Sequence, residues 1–234
     1  MPRRYHFPHL LNARDLGGYG SRFGGETRWK RFIRADGTGL LTDAERQALV
    51  ELGVTDAIDL RGAEEAALNG CGLSGVPGIR YFNIPLAGEP QSMGIAADEA
   101  RTGEFYLTMA ENAPAIRAIL EILAEAEGIA LFHCTAGKDR TGIVAAILLL
   151  LGGVPEDDIV ADYMVSEWYI REAMARIRRM HPDMPEHFAR SRPGYMESFL
   201  RRLLDKYGSV EAYLGAMDVP ESTVRRLRGK LLEK

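Results

Sequence analysis

The stretch His133-Cys134-Thr135-Ala136-Gly137-Lys138-Asp139-Arg140-Thr141-Gly142 decides the fold of this 234-residue chain. Before it, residues 128–132 (GIALF) form a short apolar run that is typical of a buried strand. After it, residues 143–151 are almost entirely aliphatic and indicate a buried helix. A strand, a tight loop and a helix start form a site for an anion, because the loop N–H groups and the positive end of the helix dipole point the same way.

The remainder of the chain alternates strand and helix patterns around this unit. Residues 29–35, 54–60 and 79–84 are typical of strands, and Thr42-Asp43-Ala44-Glu45 is a capping box that begins a helix. A further helix is expected from Asn112 to about residue 127, and the pattern is helical from residue 155 to the end. This alternation predicts an α/β fold, in which a central, mostly parallel sheet of four to five strands is flanked by helices and the C-terminal third is helical.

Composition argues against several classes of protein. The net charge of −4 argues against nucleic-acid binding, and the longest apolar run, residues 143–151, is too short for stable membrane insertion. Two cysteines, Cys71 and Cys134, make a disulfide framework unexpected and favour a reducing compartment. No apolar segment follows the arginines near the N terminus, so we expect a cytoplasmic protein, with signal-independent export left open.

The central loop carries residues suited to chemistry on a phosphate ester. Cys134 lies between a strand end and a helix start, near Lys138 and Arg140, and such surroundings favour the nucleophilic thiolate. The planar guanidinium of Arg140 can bind two oxygens of a dianion, Gly137 allows close approach of the backbone, and Thr141 can donate a hydrogen bond to the sulfur. The loop therefore predicts phosphoryl transfer to sulfur, followed by hydrolysis of the phosphocysteine by water.

The pattern His133-Cys134, five residues, Arg140-Thr141 resembles the signature loop of the cysteine-dependent protein tyrosine phosphatases. The variant GKDRTG at residues 137–142, together with Asn12-x-Arg14-Asp15-Leu16-Gly17-Gly18, resembles the bacterial atypical, triple-specificity branch of that family. Members of this branch act on phosphotyrosine, phosphoserine/threonine and phosphoinositides. Residues 207–214 are similar to the family's C-terminal part, so the resemblance spans nearly the whole chain. It implies a three-layer tyrosine-phosphatase fold in a single phosphatase domain, residues 1–234.

The resemblance also implies roles for individual residues. Cys134 is expected to be the nucleophile, Arg140 to bind the phosphate, and His133 to tune the thiolate through hydrogen bonds to the loop. Lys138 resembles a lysine linked to recognition of acidic head groups, with a solvated surface lysine as the alternative. The residues predicted to bind substrate are Thr135, Ala136, Gly137, Lys138, Arg14 and Arg61. Arg14 and Asp15 are further interpreted as a scaffold pair beneath the site.

The sequence leaves open which residue is the general acid. The leaving oxygen needs a proton from a nearby carboxylic acid, and the chain has no Trp-Pro-Asp sequence to supply it. Asp139 lies inside the loop, and Asp59 ends a predicted parallel strand, at the sheet edge where ligands usually bind. The resemblance supports both positions, and we favour Asp139 narrowly. The alternatives are a helix cap for Asp139 and an ion pair with Arg61 for Asp59.

Two amphipathic segments, around residues 91–110 and 163–196, predict a helical lid that shields the thiolate from oxidation, with a solvated helical face as the alternative. The expected substrate is a phosphoprotein or a phosphoinositide, and the expected product is inorganic phosphate. Neither a metal nor a cofactor is expected, because no His/Cys/Asp cluster has metal-ligand spacing. The alternatives are a pseudophosphatase that binds phosphate without turnover, and a sulfur-transfer or arsenate-reducing enzyme.

Overall fold

A five-stranded sheet organises the protein, in a computed structural model that describes residues 2–87, 98–180 and 182–232. The strands are β1 (Arg14–Asp15), β2 (Phe32–Ala35), β3 (Val54–Asp59), β4 (Arg80–Asn83) and β5 (Ile129–His133). Their order is β1-β2-β5-β3-β4, and every pairing is parallel except that of β1 with β2. The predicted mostly parallel α/β sheet is therefore confirmed, with β5 at its centre.

Helices pack on both faces of this sheet, because the two faces carry separate apolar clusters. The helices are α1 (Asp43–Leu52), α2 (Ala63–Asn69), α3 (Thr102–Ala110), α4 (Ala113–Glu125), α5 (Asp139–Leu151), α6 (Glu156–Met180), α7 (Pro193–Tyr207), α8 (Val210–Ala216) and α9 (Glu221–Leu231). Short 3₁₀ helices span Glu99–Arg101 and Glu186–Ala189. The helical C-terminal third was also predicted correctly.

Local sequence signals set several of these boundaries. The N–H of Glu45 donates to Thr42 Oγ1 at 3.3 Å, and the Glu45 carboxylate accepts from the N–H of Thr42 at 2.9 Å, so the predicted capping box is formed. Gly53 ends α1 with a φ of 104°, a conformation that favours glycine. Asn112 caps α4 through the N–H of Ala115 at 3.3 Å. The chain is therefore turned back into the sheet at defined points.

Helix α5 follows the central loop and is buried on all sides from residue 141 to residue 151. It packs against the sheet and against α3, α6, α8 and α9, which explains why its sequence lacks a polar face. This burial holds the first turn of α5 in a fixed place beneath the loop. Across the part of the chain that the structure describes, no helix is long and apolar enough to cross a membrane.

The two predicted lid segments fall on several elements. Residues 91–97 of the first segment, and residue 181 of the second, lie outside the described residues. The described remainder of the first segment forms a 3₁₀ turn and α3, which packs against α7. The second segment comprises most of α6, the 3₁₀ helix at 186–189 and the beginning of α7. Whether these elements act as a lid stays a prediction.

Candidate active site

The loop from Cys134 to Arg140, here called the signature loop, joins the end of β5 to the first turn of α5. Cys134 follows β5 directly and is 2% exposed. Gly137 has a φ of +65°, and a Cβ at this position would lie 2.5 Å from the carbonyl oxygen of Ala35. A residue with a side chain would be excluded on both grounds, so glycine lets the loop close against β2.

Three successive carbonyl groups of the signature loop are hydrogen-bonded to groups outside the loop. The donors are Asn12 Nδ2, Arg34 Nη2 and the N–H of Gly37, and the acceptors are the carbonyls of Thr135, Ala136 and Gly137 at 2.8 to 3.1 Å. In a trans peptide the C=O and the following N–H point in opposite directions. The N–H groups of residues 136–138 therefore point to the inner side of the loop, where they can bind an anion.

A buried ion network supports the loop from below. Asp162 of α6 accepts from Arg14 Nε at 2.8 Å and forms a second ion pair with Arg34, and Tyr19 Oη donates to it at 3.0 Å. Burial alone would raise the pKa of Asp162, but the two guanidinium groups outweigh it and hold that pKa well below its usual range. Sequence reasoning missed Asp162. The available signal is that Asp162 is an acidic residue on the same face of α6 as the buried residues Ile159 and Tyr163.

Arg14 and Asp15 are neighbours on β1 with different surroundings. Successive strand residues point to opposite faces, so the two side chains have different partners. Arg14 is 2% exposed and donates to Asp162 and Ser166, whereas Asp15 accepts from Tyr5 Oη and from the N–H of Lys30. Arg14 thus lies in the ion network beneath the loop, and the scaffold role of the pair and the substrate contact of Arg14 stay predictions.

Asp59 and Arg61 also form a buried pair. Both are 0% exposed, and Arg61 Nη2 lies 2.6 Å from Asp59 Oδ2, which also accepts from Tyr81 Oη at 2.8 Å. Burial, the largest single cause, raises the pKa of Asp59, but Arg61, His133 and Tyr81 together outweigh it and leave the pKa lowered. The structure has the ion pair that the sequence left open. The substrate contact predicted for Arg61 stays a prediction.

His133 and Thr141 lie on either side of the signature loop in sequence. His133 is fully buried, its Nδ1 lies 3.3 Å from the carbonyl oxygen of Cys134, and burial lowers its pKa to about 4. The imidazole is therefore neutral at pH 7. Thr141 Oγ1 is buried and has no hydrogen-bond partner among the described residues, so the predicted bond to sulfur is not formed in this structure. As the third residue of α5, Thr141 has its side-chain direction set by the helix.

Arg140 is held by a carboxylate that sequence reasoning missed. Glu65 on α2 accepts from Arg140 Nη1 at 2.7 Å and from Nη2 at 2.8 Å, and Thr135 Oγ1 donates to the same carboxylate. Burial, the largest single cause, lowers the pKa of Arg140, but Glu65, Cys134 and Asp139 together outweigh it and raise the pKa above its usual range. Glu65 uses the edge formed by the two terminal nitrogens. The edge that carries Nε–H is therefore the one that can face a second anion.

Lys138 and Asp139 interact with each other at the start of α5. Lys138 is 2% exposed, and its Nζ donates to Asp139 Oδ1 at 2.7 Å, so it is not a solvated surface lysine. The Asp139 side chain is 36% exposed, and the same oxygen accepts from Tyr106 Oη of α3. Of the two candidate acids, Asp139 is the one that reaches a solvent-accessible cleft.

A cleft of about 490 Å³ opens at the C-terminal end of the signature loop, at residues 138–140. Its charged side is formed by Glu65, Lys138, Asp139 and Arg140. Its apolar walls include Leu86, Phe105, Met109 and Phe188. The elements that were predicted as lid segments, α3 and the 3₁₀ helix at 186–189, thus supply walls of the cleft.

Comparison with known proteins shows the family to which this chain belongs. The model of the tyrosine phosphatase family matches residues 5–233. A tyrosine-protein phosphatase of Nostoc commune is 36% identical over 217 residues, covering 86% of this chain and 74% of that relative. The triple specificity protein phosphatase PtpB of Mycobacterium tuberculosis is 30% identical over 253 residues, covering 86% and 91%. The crystal structure of P. aeruginosa TpbA is 16% identical, with a TM-score of 0.43 and coverage of 80% and 86%. The chain belongs to the tyrosine phosphatase family and is a phosphatase.

Proposed function

We propose that this phosphatase hydrolyses phosphotyrosine through a phosphocysteine intermediate on Cys134, with Asp139 as the general acid. The observation that carries the proposal is the inward-facing N–H groups of residues 136–138 beside a buried cysteine. Such a cradle stabilises the charge that develops on the oxygens of a transferring phosphoryl group. The free edge of Arg140 adds a fixed positive charge and two donors in the same place.

In the first step the Cys134 thiolate attacks phosphorus, so that a P–S bond forms while the P–O bond to the leaving group breaks. Asp139 gives its proton to the departing oxygen, which leaves as a neutral alcohol or phenol. In the second step water attacks phosphorus, the P–S bond breaks, and the Asp139 carboxylate takes the proton from the water. Inorganic phosphate leaves, and both the thiolate and the carboxylic acid are restored.

The contrast between the two aspartates supports Asp139 as the acid. A general acid must reach the leaving oxygen and hold a proton that it can deliver. Asp139 lines the cleft beside Arg140. Asp59 is enclosed by Arg61 and Tyr81, and its lowered pKa keeps it ionised. We therefore assign Asp59 and Arg61 to support of the sheet edge under α2.

The cleft walls support an aromatic phosphoester as the preferred substrate. Phe105, Met109 and Phe188 offer apolar surface above the loop, and phenyl rings gain free energy by packing on such surface. Because PtpB is named a triple specificity phosphatase, we include phosphoserine/threonine and phosphoinositides in the proposed range. We further propose a phosphoprotein as the target in the cell, a cytoplasmic location, and a single phosphatase domain over residues 1–234.

A substrate panel with a trapping step tests this proposal. Phosphotyrosine peptide, phosphothreonine peptide and a short-chain phosphoinositide are compared at equal concentration. Each substrate carries a labelled phosphate group, and the enzyme is quenched in acid during turnover to trap the labelled intermediate. We expect the highest kcat/KM with phosphotyrosine and a label that maps to Cys134. Tight binding of the peptide without turnover would instead identify a pseudophosphatase, and chelator-sensitive turnover without labelled cysteine would reject the covalent route.

Replacing each aspartate separately tests the choice of acid. With phenyl phosphate, whose leaving group departs poorly without a proton, Asp139→Asn should lower kcat by about 10²- to 10⁴-fold. Asp59→Asn should lower the stability of the protein but not steepen the dependence of kcat on the leaving group. The reverse pattern would make Asp59 the acid.

A further inference from the structure

Two tyrosine hydroxyl groups connect the protein interior to Asp139. Tyr106 of α3 and Tyr163 of α6 are 1% and 0% exposed, and their rings meet edge to face at 6.1 Å. Tyr106 Oη lies 2.8 Å from Tyr163 Oη and is also hydrogen-bonded to Asp139 Oδ1. Helices from three parts of the chain therefore converge on one carboxylate.

The donor and the acceptor can be assigned in each hydrogen bond of the series Tyr163–Tyr106–Asp139. A hydroxyl has a single hydrogen to donate, and an ionised carboxylate can only accept. Tyr106 therefore donates to Asp139, and Tyr163 donates to Tyr106. Burial, the largest cause, raises the pKa of both tyrosines well above its usual value. Both hydroxyl groups therefore stay protonated, and the direction is kept throughout the neutral pH range.

The hydrogen bonds also make the two carboxylate oxygens of Asp139 different. Oδ1 receives two donors, Tyr106 Oη and Lys138 Nζ, the latter at 2.7 Å. Among the described residues no hydrogen bond is directed to Oδ2. When the carboxyl group is protonated, its hydrogen is carried by Oδ2, because a hydrogen on Oδ1 would displace one of the two donors. The same two bonds fix the rotation of the carboxyl group about its Cβ–Cγ bond.

We propose that Tyr106, oriented by Tyr163, is a positioning residue that holds the Asp139 carboxyl group with its proton on Oδ2. The inference rests on the proposed role of Asp139 as the general acid. It adds that the acid is pre-oriented by α3 and α6, which are separate from the loop that binds phosphate. Without Tyr106, the carboxyl group rotates more freely and presents its proton to the leaving oxygen less often.

The test is the leaving-group dependence of kcat/KM in Tyr106→Phe, because kcat/KM reports the first step, in which the leaving group departs. The substrates are aryl phosphates from p-nitrophenyl phosphate, whose leaving group departs readily, to phenyl phosphate, whose leaving group needs the proton. We expect kcat/KM to fall about tenfold with phenyl phosphate and less than about threefold with p-nitrophenyl phosphate. Tyr163→Phe should show the same trend with a smaller amplitude.

Tyr5→Phe is the matched control, because the Tyr5 hydroxyl also donates to an aspartate, Asp15 on β1, at 2.8 Å. The control should leave the leaving-group dependence unchanged. An equal fall of kcat/KM for all substrates in Tyr106→Phe, or an unchanged kcat/KM with phenyl phosphate, would overturn the positioning role. If Tyr106→Phe does not fold, Tyr163→Phe decides by the same criteria.

The result with Asp139→Asn separates the two proposals. If that variant loses phenyl phosphate turnover selectively while Tyr106→Phe and Tyr163→Phe show no selectivity, the acid stands and the positioning role is rejected. If Asp139→Asn itself shows no selectivity, Asp139 is not the acid, and the positioning role is rejected with it. A selective loss of phenyl phosphate turnover in both the aspartate variant and the tyrosine variants supports Asp139 as the acid and Tyr106 as its positioning residue.

Discussion

The floor beneath the signature loop and the rim of the cleft are built in opposite ways. The floor consists of Asn12, Arg14, Arg34, His133 and Asp162, each no more than 5% exposed. The rim consists of Glu65, Phe105, Asp139 and Phe188. The Glu65 and Asp139 side chains are 33% and 36% exposed, and Phe188 is 41% exposed. The floor is therefore a desolvated polar network, whereas the rim is half open to water.

This difference indicates a division of labour. Charges that are removed from water must be paired to be tolerated, so the floor holds the loop in one conformation before any ligand arrives. A preorganised cradle needs little rearrangement when charge develops on the phosphoryl group. Contacts at the rim are screened by water and can adjust to different leaving groups. We therefore expect changes in the floor to affect all substrates alike and changes in the rim to affect substrates differently.

The largest effect is expected at Cys134, the proposed nucleophile. Cys134→Ser should lower kcat by about 10⁴-fold or more, because the serine hydroxyl stays protonated and attacks poorly. Binding of inorganic phosphate, measured by calorimetry, should persist, because the N–H groups of the loop are unchanged. Residual turnover close to wild type would rule out the phosphocysteine route.

The next largest effect should come from breaking the floor itself. Asp162→Asn removes the charge that pairs Arg14 and Arg34, and an uncompensated buried charge typically costs about 3–5 kcal/mol of the free energy of unfolding. Urea denaturation measures this loss. Glu211→Gln is the control, because it breaks a half-exposed pair with Arg228 and should cost less than about 1 kcal/mol. Equal losses of the free energy of unfolding in the two variants would contradict a larger contribution of the buried ion network to stability.

A pH titration sharpens the same comparison at His133. Its pKa is lowered by burial from 6.5 to about 4, so between these values the unfolded chain binds a proton that the folded protein does not. The stability that comes from the neutral imidazole is therefore present above pH 6.5 and is lost as the pH falls towards 4, by about 3 kcal/mol in total. His133→Asn should remove this contribution to the slope, whereas substitution of the exposed His6 should not.

The smallest effect is expected at the rim. Glu65→Gln removes the charge from the carboxylate that orients Arg140, and kcat/KM should fall about tenfold, or about 1.4 kcal/mol, with a change in stability below about 1 kcal/mol. Glu64→Gln, one position earlier on the exposed side of α2, is the control. A large loss of stability in Glu65→Gln would show that Glu65 contributes to stability as the buried floor residues do, in contradiction to its place at the rim.

Sequence reasoning succeeded where the signal is local. The apolar run before Cys134, the aliphatic run after it and the capping box at Thr42 each act over a few residues, and all three elements were predicted. Helix α2 was not predicted, because it is seven residues long and its N-cap, Gly62, makes no side-chain cap hydrogen bond. The two-residue strand β1 is likewise too short for a periodic pattern. Glu65 and Arg14 lie on these two weak elements, so their partners could not be anticipated.

The sequence by itself determined the strand, loop and helix that hold Cys134 and Arg140, because backbone propensity and hydrophobic periodicity are properties of neighbouring residues. Only the tertiary structure decided which charges pair. Arg14 meets Asp162 across 148 positions, Arg140 meets Glu65 across 75, and Asp139 meets Tyr106 across 33. An ion pair or hydrogen bond depends on distance in space and on shared burial, and neither is encoded in the spacing of residues along the chain. The proposed nucleophile, Cys134, was therefore readable from the motif, whereas the partners of Arg140 and of the proposed acid, Asp139, were not.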